Sequence, residues 1–297
     1  MTGFLKGTAT AMITPFQADG GVDFGSFGDM IEYQIAGGTD MLVILGTTGE
    51  PATMTEEEKT AVMEFAVKKA KGRIKLVFGC GSNCTAHAVE AAKKAEKIGA
   101  DGLLAVTPYY NKCTQNGLIA YYSSICEAVH LPVIAYCVPS RTGVNILPAT
   151  MAKIAELPNM AGLKDASGNM SQTMETLRLV RGKCDLYSGE DALNLPILAV
   201  GGSGVISVLS NLVPADVKKL YTLVQEGNRA EAFALADKLL PLAQACFIEV
   251  NPIPAKAAMN LLGFSAGLPR APLSEIEPAN AARLREAMIA YGLEVKA

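Results

Sequence analysis

Apolar and β-branched residues gather in eight short runs: "GTATAMITP" from Gly7, "DMLVILG" from Asp40, "IKLVFGC" from Ile74, "DGLLAVTP" from Asp101, "PVIAYCVP" from Pro132, "MAGLKDAS" from Met160, "KCDLYSG" from Lys183 and "GVISVLS" from Gly204. Nearly continuous apolar runs of this length are the mark of strands covered on both faces, as in a parallel sheet flanked by helices. Between them the polarity follows a helical period, as in "TAHAVEAAKKAEKIG" and "NGLIAYYSSICEAV". The segment "TEEEKTAVMEFAVKKAKG" opens with Thr55 and Glu58 in the spacing of a capping box. Eight strands alternating with helices, at roughly 25 to 35 residues per unit, predict a closed (β/α)8 TIM barrel. A doubly wound open sheet competes with that reading, but its phosphate-binding glycine fingerprint is missing from "MITPFQADGG" after the first strand. Beyond the eighth run, which ends at Ser210, the chain continues for 87 residues (297 − 210). They carry helical patterns in "GNRAEAFALADKLLPLAQACF", "PIPAKAAMNLLG" and "LSEIEPANAARLREAMIAYG". The expected organisation is a barrel over residues 1–225 and a C-terminal helical domain over 226–297, with no flexible linker between them.

Composition narrows the function. Half of the 297 residues are apolar and the net charge is −3, which leaves no clustered basic face for nucleic acid. The longest uncharged stretch, Ala192 to Ala215, holds Pro196, Pro214 and "GGSG". Two buried elements joined by a glycine turn explain it better than a membrane span. Seven scattered cysteines read as small buried hydrophobes of a reducing cytoplasm. Cys80 and Cys84 have a spacing a metal tolerates, but no second pair completes a site. No metal is expected.

In such a barrel the carboxyl ends of the strands form the active face. They bring "GTTGE" after strand two, "TPYYN" with Tyr109 and Tyr110 after strand four, Tyr136 and then Arg141 from strand five, Lys164 in strand six, "SGED" after strand seven and Ile206 in strand eight. With only His87 and His130 in the whole chain, neither a histidine-bound metal nor a serine-type triad is well supplied. What remains is amine chemistry. A lysine in water titrates at about 10.4, so only about one in 2,500 is a free amine at pH 7. Burial in apolar surroundings favours the free amine and makes a lysine an effective nucleophile toward a carbonyl. Lys164 is the candidate. The competing account is an ion pair with Asp165, which is awkward because adjacent strand residues face opposite ways. Tyr136, Tyr110 and Thr48 are the right types for a proton shuttle, though each tyrosine is equally compatible with core packing. Backbone N–H groups of "GTTGE" suit a carboxylate, and Arg141 suits a second one.

"GTTGE", "VTPYYNK", "YCVPSRTG", "GLKDASGN" and "GGSGVISV" resemble, in order and spacing, the dihydrodipicolinate synthase and N-acetylneuraminate lyase family, from about Gly7 to "NPIPAK". The resemblance implies a (β/α)8 barrel with a C-terminal helical domain that uses pyruvate through a lysine imine, with no metal and no separate cofactor. Lys164 would carry the pyruvate imine and Tyr136 would be the general acid/base. Thr48 and Tyr110 would complete the relay, Tyr110 reaching across a subunit interface. Thr47 and Thr48 would hold the pyruvate carboxylate, and the Ile206 carbonyl would face the pyruvate-derived carbon. Arg141 would hold the carboxylate of the aldehyde. The active unit would be at least a dimer, within a homotetramer built as a dimer of dimers.

Sialic-acid lyases of the family have an apolar residue in place of Arg141 and serine in place of Thr47, so the arginine points to L-aspartate β-semialdehyde as acceptor. The product would be 4-hydroxy-tetrahydrodipicolinate, the entry to diaminopimelate and lysine, made in the cytoplasm. A pyruvate aldolase for N-acetylneuraminate or a 2-keto-3-deoxy sugar acid is the alternative, and a non-catalytic regulatory paralogue is another. Cys137 departs from the family's asparagine, and is expected to point away from the site. Ala52, Asn83 and Tyr109 match the pattern of a lysine-sensing pocket. Pro51, Glu56, Lys59 and His87 do not, and His87 replaces a carboxylate that would pair with the effector's ammonium. Weak or absent inhibition by L-lysine is therefore expected, and strong inhibition in a steady-state titration would overturn that expectation.

Overall fold

The structure, a computed structural model, describes residues 3, 4 and 6–296. Its strands are β1 (Gly7–Ala11), β2 (Met41–Ile44), β3 (Lys75–Gly79), β4 (Gly102–Val106), β5 (Val133–Cys137), β6 (Met160–Asp165), β7 (Asp185–Ser188) and β8 (Gly204–Ser207). They close into a barrel in chain order. The helices are α1 (Phe24–Ala36), α2 (Glu56–Ala70), α3 (Thr85–Ile98), α4 (Gln115–Ala128), α5 (Pro139–Thr142), α6 (Pro148–Ile154), α7 (Met170–Val180), α8 (Asn194–Ala199), α9 (Pro214–Gln225), α10 (Arg229–Ala245), α11 (Ile253–Leu261) and α12 (Pro278–Tyr291). All eight apolar runs form strands. The long uncharged stretch resolves into α8, a turn at Gly201 and Gly202, and β8. Among the described residues no helix is long and apolar enough to cross a membrane.

The chain forms two compact units. One comprises Leu76–Ile206 with the N-terminal segment up to Gly7. Its parallel strands pair in register through Val106 with Tyr136, Tyr136 with Lys164, Lys164 with Tyr187, and Asp165 with Ser188. Residues in register share a face, so Tyr136, Lys164 and Tyr187 stand side by side while their chain neighbours face the other way. α3 presents Ala88, Ala92 and Ala95 as its buried stripe. The Tyr122 hydroxyl of α4 is buried against β4, where it donates to the Ala105 carbonyl at 3.0 Å.

The other unit comprises Thr8–Lys75 and the chain from Ser207 onward. Phe65 of α2 packs on Phe24 and Phe27 of α1, with ring centroids 5.1 and 5.9 Å away. Buried Gln34 accepts hydrogen bonds from Thr10 and Thr39 at 2.6 and 2.9 Å and donates to the Ser210 carbonyl at 2.9 Å. Such a polar group is tolerated in a core because both ends of its amide are satisfied. The capping box forms as its sequence predicts: the Thr55 hydroxyl accepts from the Glu58 amide at 3.2 Å, and a Glu58 carboxylate oxygen accepts from the Thr55 amide at 2.9 Å. Glu56, Glu57 and Glu58 in the first turn of α2, and Lys68 and Lys69 in the last, complement its dipole.

Glu58 serves a second purpose. Its carboxylate receives the Arg270 guanidinium, with Nη1 at 2.8 Å from Oε2, and that hydrogen-bonded pairing pulls its pKa from 4.5 to about 2. A carboxylate whose folded pKa lies below its unfolded value stabilises the fold above the unfolded value and loses that contribution as pH falls through the folded one. Glu58→Gln is therefore expected to lower Tm by a few degrees at pH 7. It should also flatten the loss of stability between pH 4.5 and about 2. Thermal melts across that range check both.

Candidate active site

Lys164 occupies the next-to-last position of β6 and is 5 % exposed. Its Nζ lies 4.3 Å from the centroid of the Tyr136 ring, on the adjacent strand in the same register. A desolvated cation over an aromatic face gains about 2 kcal/mol, far less than an ion pair would restore. Among the described residues no carboxylate pairs with Lys164. Asp165 is committed elsewhere, its oxygens accepting from the Thr173 hydroxyl of α7 at 2.7 Å and the Ser167 amide at 2.9 Å. Strand alternation thus separates the two, and the ion-pair account of Lys164 fails.

Gly189, just past β7, is part of this arrangement. A Cβ placed there would meet both Cγ and Cε of Lys164 at 2.9 Å and the Ala166 Cβ at 3.1 Å. The absent side chain is the space in which the lysine stem lies. Glu190 follows. Its carboxyl is half-buried, and its pKa is raised by burial and by the neighbouring Asp191 against a downward pull from Lys164. That places an acidic group within electrostatic reach of the lysine, a neighbour that sequence reasoning noted only as the end of "SGED".

Arg141 is exposed on α5, the single helical turn after β5. The buried Cys137 sulfur is held by the loop that follows α5, with the Ile146 amide at 3.3 Å and the Asn145 Oδ1 at 3.2 Å. Burial pushes this thiol up to about 12, so it is a structural link rather than a reactive group. Ile206 of β8 is 1 % exposed. Tyr109 and Tyr110 are the opposite case, 40 % and 91 % exposed, and Tyr110 sits at φ 69°. A bulky residue in the left-handed region is an outlier, and here it turns an aromatic ring into solvent. Nearby, Asn83 contributes its carbonyl to the Asn111 side-chain amide at 2.9 Å, and His87 is exposed on α3.

The second unit contains Thr47, Thr48 and Ala52. Thr47 to Gly49 form one 3-10 turn directly after β2, with Thr48 buried and Ala52 exposed beyond it. Three consecutive residues, the last two of this turn and the Glu50 that follows it, are each held from a different direction. The Thr48 hydroxyl oxygen accepts from Asn251 Nδ2 at 2.9 Å, and the Gly49 carbonyl accepts from the Thr14 hydroxyl at 2.8 Å. The Glu50 carboxylate pairs with Lys256 at 2.6 Å and accepts from the Arg270 amide at 2.9 Å. Lys256 is 1 % exposed and stacks over Phe16 at 3.9 Å, with Arg270 over the same ring at 4.2 Å. Burial lowers the Lys256 pKa to about 8 against the opposing effect of Glu50. Sequence reasoning missed this pair, although a lone lysine inside "PIPAKAAMNLLG" was a visible signal.

The chain matches the model of the dihydrodipicolinate synthetase family over residues 4–290. It is 47 % identical over 291 residues to the 4-hydroxy-tetrahydrodipicolinate synthase of Caldicellulosiruptor bescii, covering 98 % of each chain. The crystal structure of dihydrodipicolinate synthase from Aquifex aeolicus is similar over 99 % of this chain and 100 % of that one, with a TM-score of 0.96 and 42 % identity. The chloride-inhibited Acinetobacter baumannii dihydrodipicolinate synthase complexed with pyruvate matches over 97 % of this chain and 99 % of that one, with a TM-score of 0.95 and 38 % identity.

The Gly189 contact has a measurable consequence. Gly189→Ala is expected to push the Lys164 stem aside and lower the reactivity of its amine toward an added carbonyl compound by roughly ten- to a hundredfold, while the melting temperature changes little. Borohydride trapping rates beside a thermal melt check the pair of outcomes. An unimpaired trapping rate would show that the space at Gly189 is not what places the lysine.

Proposed function

Because the chain belongs to the dihydrodipicolinate synthetase family, we propose that it is a lyase that condenses pyruvate with L-aspartate β-semialdehyde to give 4-hydroxy-tetrahydrodipicolinate. The observation that carries this reading is a buried lysine, Lys164, whose side-chain nitrogen faces an aromatic hydroxyl residue and, among the described residues, no paired carboxylate. The Lys164 amine attacks C2 of pyruvate, and loss of water leaves the imine. Removal of a C3 proton gives the enamine, whose C3 forms the new carbon–carbon bond with the aldehyde carbon. The acceptor's own amine then attacks the imine carbon, closes the ring and releases Lys164. No metal or separate cofactor enters this reading.

Tyr136 is the acid/base in this scheme, in register with Lys164 and against its ammonium. Thr48 and Tyr110 pass the proton onward. Thr47 and Thr48 hold the pyruvate carboxylate, the Ile206 carbonyl faces the pyruvate-derived carbon, and Arg141 takes the carboxylate of the semialdehyde. Tyr110, exposed and turned outward at φ 69°, serves the site of a second copy. This supports a dimer as the minimal active unit and a homotetramer of two dimers as the assembly. Within each protomer the barrel covers residues 1–225 and the helical domain 226–297. Ala52, Asn83, His87 and Tyr109 are the residues toward which a lysine effector would act, with weak or no inhibition because His87 lacks a carboxylate. Seven free cysteines fit a cytoplasmic enzyme of amino-acid biosynthesis.

Incubation with pyruvate and borohydride is expected to add a reduced pyruvate adduct at Lys164, found by peptide mass spectrometry and absent from Lys164→Ala. In a pyruvate-consumption assay, turnover is expected with aspartate β-semialdehyde and not with N-acetylmannosamine or glyceraldehyde. Arg141→Leu should sharply reduce use of the semialdehyde. Trapping at Lys164 with turnover of a sugar aldehyde alone would make the protein a sugar-acid aldolase.

A further inference from the structure

Asn251 lies two residues before α11, 203 positions from Thr48 in sequence, and its side-chain amide donates to the Thr48 hydroxyl at 2.9 Å. Both residues are buried, Asn251 at 5 % and Thr48 at 2 % exposure, so water does not compete for the bond. A threonine hydroxyl has one hydrogen to give and two lone pairs to receive, whereas Nδ2 of asparagine only donates. With one lone pair occupied by Asn251, the Thr48 hydrogen is directed away from that axis and can donate only elsewhere. A hydroxyl that accepts a hydrogen bond is also a stronger donor in its turn.

We propose that Asn251 is a positioning residue that sets the direction in which Thr48 donates its proton, an inference that rests on Thr48 acting as a relay group. The location of Thr48 does not depend on this contact alone. Gly49 is held by Thr14, and Glu50 is held by Lys256 and by the Arg270 amide. The short segment from Asn251 to Lys256 thus engages the turn twice, once at the hydroxyl and once at the charge. The charge pair fixes where the turn lies. What Asn251 adds is polarity.

The test is a double-mutant cycle of Asn251→Ala and Thr48→Val, read as kcat, KM for pyruvate, the pH profile of kcat and the extent of borohydride trapping. Asn251→Ala is expected to lower kcat by about 10- to 100-fold, to leave KM within about threefold, and to move a limb of the kcat profile along the pH axis. In the Thr48→Val background the same substitution should change kcat by less than about twofold, because the hydroxyl it orients is gone. Losses that simply add, or a loss confined to KM with an unchanged profile, would overturn the inference and leave the relay standing. Wild-type kcat in Thr48→Val would overturn the relay itself, and the inference with it. Asn251→Asp keeps the shape while exchanging donor for acceptor. It is expected to lower kcat at least as far as alanine does, and a wild-type rate and pH profile in that variant would also overturn the proposal. A thermal melt of each variant, a readout independent of pyruvate binding, verifies that the protein is folded.

Discussion

A primary amine that is nearly cut off from water depends on what its neighbours offer to any charge it carries, and this protein contains two buried lysines with different surroundings. Lys256, 1 % exposed, is answered by the Glu50 carboxylate at 2.6 Å, a carbonyl and an aromatic face. Lys164, 5 % exposed, has the Tyr136 ring and the electrostatic influence of half-buried Glu190. Burial alone therefore does not mark a nucleophile. The deeper of the two lysines has the full complement of a structural ion pair, and breaking such a pair by removing one partner costs about 3–5 kcal/mol. The shallower one is left with the environment that amine chemistry requires.

The way β6 is built makes that difference possible. In a strand covered on both faces, side chains alternate between the two faces. Asp165 therefore turns toward α7, where Thr173 and the Ser167 amide satisfy it. Had the carboxylate been two positions from Lys164 instead of one, both groups would share a face and neutralise each other. Register then supplies the neighbours: Tyr136 on one side and Tyr187 on the other stand level with the lysine. Gly189 leaves the volume in which the aliphatic stem lies.

Much of this was legible in the residues themselves. The eight strands were visible because strands buried on both faces leave unbroken apolar runs, in which Lys164 stood out as an exception. The capping box at Thr55 and Glu58 was visible because it is local. Lys256 was harder to read for a physical reason: a helix turns each residue through about 100°, so one lysine in an apolar helix has a solvent side available to it, as a lysine in a doubly covered strand does not. Contacts that join distant parts of the sequence, such as Glu50 with Lys256 or Thr48 with Asn251, leave no periodic trace. Neither does the absence of a side chain at Gly189, whose reason appears only when the lysine is seen against it.

The cysteines show what such a core means for an electrophile. Cys80, Cys126, Cys137 and Cys184 are all pushed up to about 12, burial being the first cause in each. A thiol of that kind is ionised in about one molecule in 100,000 at pH 7, and the ionised form is the one that alkylating agents and peroxides consume. Cys84 and Cys113 are partly exposed, and they adjoin Asn83 and the Tyr109–Tyr110 segment in the chain. An alkylating agent therefore meets those two sulfurs first, Cys84 ahead of Cys113, whose thiol is itself raised by burial, while the interior stays chemically untouched.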